Sequence, residues 1–192
     1  GGLLSIGFFL ALVFSTNGLA SMMSAFDATI HSIYRRTWLS HRLAATILLF
    51  ILLVLLTVAV ALLTGGQDLI NFLKKEEFLR DSFTVYILTF GKWITIISMF
   101  FFAYSFLYYM APAKKTKWRF ISAGGTLATV LSILTLAGFT YYINNFSQYN
   151  KLYGSIGTLL IVLLLMYVMS LILLVGFELN ASIYQAHSMK EE

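Results

Sequence analysis

The sequence predicts an all-α protein, a polytopic transmembrane helix bundle that forms a single domain over residues 1–192. Two observations support this prediction. The first is composition, because 59% of the residues are hydrophobic, only 11% are charged and the mean hydropathy is +0.85. An average soluble domain has about 25% charged residues. The second is spacing, because stretches without Asp, Glu, Lys or Arg reach the roughly 20 residues that a membrane-spanning helix needs. There are five such stretches, at 1–26, 43–67, 93–113, 120–150 and 152–177.

These stretches predict membrane-spanning helices over 3–26, 43–64, 93–111, 120–143 and 156–179. Residues 47–63 are apolar on every face, which fits a helix in lipid and not a barrel strand, whose side chains alternate in polarity. Residues 68–90 alternate apolar and charged side chains near helical spacing and predict an outward amphipathic helix at the membrane interface. Lys92 and Trp93 would then mark that interface, and one longer helix that carries Lys92 inward is the alternative.

Basic residues are concentrated in two connections that contain no acid. They are Arg35, Arg36 and Arg42 in the first connection and Lys114, Lys115, Lys117 and Arg119 in the third. The positive-inside rule places both connections in the cytoplasm, and alternation then places residues 144–155 outside and the C-terminus in the cytoplasm. The same side chains are candidates for binding lipid head groups, so we expect anionic membrane lipids as partners and no nucleic acid. The oligomeric state is left open, and a homo-oligomer is one alternative.

The sequence contains no pattern typical of a catalytic or metal centre. It has no cysteine, and its three histidines are too scattered for a metal-binding spacing. Its clustered acids, Asp68, Glu76, Glu77 and Asp81, fall in a predicted outward connection, away from cytoplasmic RNA. We therefore expect no metal, no cofactor and no enzymatic activity.

Polar side chains at two places predict either a substrate path or helix packing. Asn17 puts an amide inside an otherwise apolar helix, where it would line a polar groove or bond to a neighbouring helix. The second place is the connection before the last helix, whose amides and phenols would line an outward cavity or satisfy a re-entering turn. Its candidates for lining a substrate path are Tyr142, Asn145, Tyr149, Asn150 and Tyr153.

Other residues are predicted to have structural roles. Gly124, Ala128 and Ser132 follow one another at four-residue spacing, which lets two helix backbones approach closely in lipid. Gly154 and Gly157 permit a tight re-entry into the membrane. Glu178 is expected to pair with Arg35, Arg36 or Arg42, and a protonation role in transport is the alternative.

Five motifs together resemble the YihY/BrkB family of bacterial inner-membrane proteins over essentially the whole chain. They are GGLLSIG at 1–7, NG at 17–18, Tyr108 and Pro112 before KKTKWR, NFxxYNxxYGSxG at 145–157, and GxELNA at 176–181. The chain departs from the usual pattern at Asp27, where the family often has Asn, and at Lys117, where Pro is common.

The resemblance implies a six-helix inner-membrane protein, of which this chain would lack the N-terminal region and first helix. It also implies structural roles for Pro112 and Asn180 within the motifs that contain them. Family members have been labelled ribonuclease BN, which is regarded as a misassignment, and transport of lipids or envelope components has been proposed. The sequence thus favours a transporter or carrier of an amphiphilic anionic lipid or envelope component, with a scaffold or regulator of envelope assembly as the alternative and a ribonuclease as a remote one.

Overall fold

Helices account for nearly all of the structure, a computed structural model that describes residues 2–29, 36–75, 82–113, 120–145 and 155–188. They are α1 (Gly2–Thr29), α2 (Trp38–Lys75), α3 (Ser82–Met110), α4 (Ala123–Asn145) and α5 (Ser155–Ser188). Each contains a segment long and apolar enough to cross a membrane. Within those ranges there is no strand, so the predicted all-α class and the count of five spanning helices are confirmed.

The chain divides into two compact units, residues 1–116 and 117–192. In the first unit, α2 packs against both α1 and α3. Its core lies where α1 and α3 end and α2 begins, around Phe26, Leu48 and Tyr108. The Phe26 and Tyr108 rings meet edge to face with centroids 5.9 Å apart, a geometry that aromatic pairs prefer. This aromatic contact fixes the end of α1 against the end of α3.

The second unit is the pair α4 and α5, which pack along a row of small residues. Gly124, Ala128 and Ser132 are all buried, as their four-residue spacing predicts. A Cβ added at Gly124 would lie 1.9 Å from the carbonyl oxygen of Gly176, so only glycine allows this backbone approach.

The segment 68–90 is where the structure departs from the sequence prediction. Residues 68–75 continue α2 and residues 82–90 open α3, while 76–81 lie outside the described residues. Asp68, Lys74 and Lys75 lower the hydropathy of residues 68–75, but α2 continues through them as far as Lys75. Lys92 and Trp93 lie within α3, and their place at the membrane interface stays a prediction.

Helix ends differ from the predicted spans because backbone capping, and not hydropathy, ends a helix. α2 begins at Trp38 and not at residue 43. At this start the N–H of His41 donates to the carbonyl oxygen of Thr37 at 2.9 Å. α4 begins at Ala123 and not at residue 120, since Ser122 caps it: the hydroxyl accepts from the N–H of Gly125 at 3.2 Å.

Candidate functional site

Arg36 clamps the end of α3. Its Nη2 donates to the carbonyl oxygens of Met110 at 3.1 Å and Pro112 at 2.8 Å, and Nη1 makes a longer contact of 3.4 Å with that of Ala111. The last carbonyls of a helix have no partner within the helix, and Arg36 satisfies that of Met110, the last residue of α3, together with those of the two residues that follow. Arg36, a predicted head-group residue, therefore serves the backbone here, and Pro112 is buried as one of its acceptors.

Asp27 closes the same end of the first unit from α1. Its Oδ1 accepts a hydrogen bond from the N–H of Ala113 at 2.7 Å. The residue after Pro112 is thus held by α1 while the carbonyls before it are held by Arg36. Asn would offer the same side-chain oxygen, so the acceptor at this position does not depend on the charge of Asp27.

Asn17 meets Arg42. The Nη1 of Arg42 donates to the side-chain oxygen of Asn17, and both side chains are half-buried. One turn further along α1, the carbonyl oxygen of Ala20 lies 3.0 Å from Nε2 of His41, which donates there in its Nε2–H tautomer. Of the two alternatives for Asn17, the structure thus shows a bond between neighbouring helices, and the partner is a cation.

A groove of about 580 Å³ lies between α4 and α5. Its walls are one face of each helix at helical spacing, and apolar side chains provide most of them. The lining residues are Thr135, Gly138, Phe139 and Tyr142 from α4 and Gly157, Leu160, Ile161, Leu164 and Val168 from α5. The two helices are in close contact at Gly124 and enclose the groove at their other ends.

The predicted outward cluster falls partly within the structure. Tyr142 lines the groove at 40% exposure, and buried Gly157 faces it from α5. Asn145 is exposed, and its Nδ2 donates to the Tyr141 carbonyl oxygen of its own helix at 2.9 Å. Several predicted residues lie outside the described residues: Tyr149, Asn150, Tyr153 and Gly154 of this cluster, and Arg35, Lys114, Lys115, Lys117 and Arg119 of the basic connections.

Asn180 has two partners at the start of α4. Its side-chain oxygen accepts from the N–H of Gly124 at 2.8 Å, and its Nδ2 donates to the hydroxyl of Ser122 at 2.9 Å. Sequence reasoning placed Asn180 in a motif but missed Ser122, although a serine directly before a helical run is a recognised N-cap signal. Glu178, two residues earlier, is exposed, and its pairing with a cytoplasmic arginine stays a prediction.

In the described ranges no three side chains among His, Asp and Glu come together as a metal site would require. The described residues instead form an apolar groove in the second unit, which includes the phenol of Tyr142 and the hydroxyl of Thr135. In the first unit they hold the half-buried Arg42 through the amide of Asn17.

Five helices of this length and apolarity, counted over the described residues, define a multi-pass membrane protein. The family model described as "Virulence factor BrkB" matches residues 1–192, and the chain belongs to this family.

Relatives of the chain include a ribonuclease-like protein, YfkH, of Bacillus subtilis, which is 26% identical over 192 residues, 100% of this chain and 70% of that protein. The UPF0761 membrane protein IL2447 of Idiomarina loihiensis is 27% identical over 89% of this chain and 59% of its own length. A UPF0761 membrane protein of Vibrio campbellii is 29% identical over 57% of this chain and 33% of its own. No solved structure gives a significant match.

Proposed function

We propose that this chain belongs to a transporter or carrier of an amphiphilic, anionic lipid or envelope component. In this proposal it lies in the bacterial inner membrane, its C-terminus is cytoplasmic and it is not an enzyme. The observation that carries the proposal is the groove between α4 and α5, whose size falls within the roughly 300 to 1,000 Å³ typical of ligand pockets.

The length of the groove favours an acyl chain as its occupant. The lining positions on α5 run from Gly157 to Val168, which at 1.5 Å per residue is about 16 Å. One leaflet of the hydrocarbon core is about 15 Å deep, half of roughly 30 Å. A chain that follows the groove would therefore cross about one leaflet.

The chemistry of the groove favours an amphiphile over a polar solute. Its walls are almost wholly apolar, and the phenol of Tyr142 lies near one end, where α4 approaches its last residue, Asn145. A tyrosine places its ring among acyl chains and its hydroxyl near head groups. An amphiphile thus finds an apolar channel for its tail and a polar group at one end for its head.

A groove-filling substitution tests this proposal. A Cβ added at Gly138 meets nothing within 4 Å, so Gly138→Leu projects a side chain into free space of the groove and leaves the backbone undisturbed. We expect it to reduce both the lipid that co-purifies and the movement of fluorescent phosphatidylglycerol across reconstituted vesicles. Gly7→Leu is the matched control, because Gly7 also has open space around its Cβ position but lies on α1.

The same vesicles separate the alternatives. If Gly138→Leu matches Gly7→Leu and the unaltered protein in lipid content and lipid movement, the groove is not a lipid path and a scaffold role is favoured. A labelled transfer RNA precursor is assayed in parallel, because one relative carries a ribonuclease-like name. Specific cleavage of that RNA without any lipid movement would overturn the proposal in favour of a nuclease.

A further inference from the structure

We infer that Arg42 forms a second lipid site, one that binds the phosphate of an acidic phospholipid. The site lies at the start of α2 in the first unit and consists of Arg42, its partner Asn17, and the apolar surface beside it. It is independent of the α4–α5 groove and of transport, since a resident lipid would bind here whether or not the protein moves lipid.

Arg42 is a half-buried cation whose partners among the described residues are uncharged. Arg42 is half-buried at the start of the apolar span Trp38–Gly66, and its partners there are the neutral amide of Asn17 and the ring of Trp38, 5.7 Å from the guanidinium carbon. No acidic side chain pairs with it in the part of the chain that the structure describes. A partly desolvated cation without a counter-ion is costly, and an anion from outside the chain would remove that cost.

The guanidinium is oriented, and its contacts with the described residues leave donors for a ligand. Arginine has five N–H donors in a rigid planar fork, and the bond to Asn17 uses one of them. The bond to Asn17 and the contact with the Trp38 ring restrain the group, which reduces the rotamer entropy lost on binding. The planar fork matches the oxygens of a phosphate in a way that the single ammonium of lysine does not.

The surface beside Arg42 favours a phospholipid over free phosphate. A hollow of about 350 Å³ is lined by Arg42 with Leu39, Leu43, Thr46 and Ile47, which share one face of α2. Leu39 is 69% exposed and Leu43 is 61% exposed, so this face is open to the bilayer. An acyl chain would cover it, whereas inorganic phosphate would gain nothing from it.

Trp38 provides a local reporter for binding. The chain has three tryptophans, so Trp93→Phe with Trp118→Phe leaves Trp38 alone, next to Arg42. In an uncharged detergent, quenching by phosphatidylglycerol with brominated chains then measures lipid at this site. We expect stronger binding of brominated phosphatidylglycerol than of brominated phosphatidylcholine, and no displacement by inorganic phosphate at equal concentration.

Substitutions of Arg42 test the role of the fork. Arg42→Gln retains an amide for Asn17 and should weaken phosphatidylglycerol binding about tenfold, the equivalent of one charged hydrogen bond. Arg42→Lys keeps the charge and should bind more weakly than the unaltered protein but more tightly than Arg42→Gln. Lys92→Gln is the control, since it removes one positive charge from α3 and should leave binding unchanged.

The inference would be overturned by equal quenching by both lipids, by equal loss in Arg42→Gln and Lys92→Gln, or by displacement by inorganic phosphate. Full retention of binding in Arg42→Lys would show general attraction to charge and no site, which also overturns it. Gly138→Leu should leave this signal intact, so failure of the groove and failure of this site can be told apart.

Discussion

The side-chain oxygen of Asn180, on α5, accepts a hydrogen bond from the backbone N–H of Gly124, on α4, at 2.8 Å. The first turn of a helix has N–H groups without partners inside the helix, and this bond satisfies one of them from a different helix. Ser122 satisfies a second, that of Gly125, and itself accepts from Asn180 at 2.9 Å. The start of α4 is therefore capped jointly by its own serine and by α5.

Asn180→Ala should lower the free energy of unfolding by about 1 to 3 kcal/mol, because it leaves a buried N–H without an acceptor. Thermal unfolding in detergent measures this. Asn145→Ala is the matched control, since Asn145 is exposed and bonds only to its own helix, and it should change stability little. Equal effects of the two substitutions would contradict the capping role.

Gly124→Ala should destabilise the protein by about 1 to 3 kcal/mol, the usual cost of overpacking, because the new Cβ would overlap the carbonyl oxygen of Gly176. Gly138→Ala, on the same helix, meets no atom within 4 Å and should stabilise by about 0.5 to 1 kcal/mol by removing a helical glycine. The denaturation midpoints of the two variants show whether each substitution stabilises or destabilises the protein. A stabilising Gly124→Ala would show that the two backbones are not in close contact.

Asp27→Asn should be tolerated and Asp27→Ala should not. The N–H of Ala113 needs an acceptor, which the amide oxygen of Asn supplies and the methyl group of Ala does not. The loss in Asp27→Ala is expected to be about 1 to 3 kcal/mol. Unfolding curves of both variants measure the difference, and a large loss in Asp27→Asn would mean that the charge matters more than the hydrogen bond.

The predicted orientation can be tested by cysteine labelling, since the chain has no cysteine of its own. Thr37 and Asn145 are exposed and lie at the ends of helices on opposite predicted sides. An impermeant thiol reagent should label Asn145→Cys in intact spheroplasts and Thr37→Cys only after the membrane is opened. The reverse pattern would invert the topology.

Composition and spacing were sufficient to predict the class and the number of spanning helices. A run of about 20 apolar residues has few alternatives to a membrane helix, because lipid offers no partner to the backbone N–H and C=O groups. The row Gly124, Ala128 and Ser132 was predictable for a similar reason, since small side chains at four-residue spacing leave one face of a helix open.

Hydropathy could not predict the helix ends or the continuation of α2 through residues 68–75. It reports transfer into lipid, whereas a helix ends where its backbone groups find other partners, such as the Ser122 hydroxyl at the start of α4 and Arg36 after α3. A charged segment can therefore continue a helix past the apolar core, as residues 68–75 do in α2.

The sequence by itself determined that this chain spans a membrane with five helices, because length and polarity are properties of each segment alone. The tertiary structure decided which polar groups meet, for example that Asn17 bonds to Arg42 and that Arg36 binds the end of α3. It also decided that α4 and α5, in close contact at Gly124, separate to enclose a groove. These relations depend on the distance and angle between helices, and residues far apart in sequence set that geometry jointly.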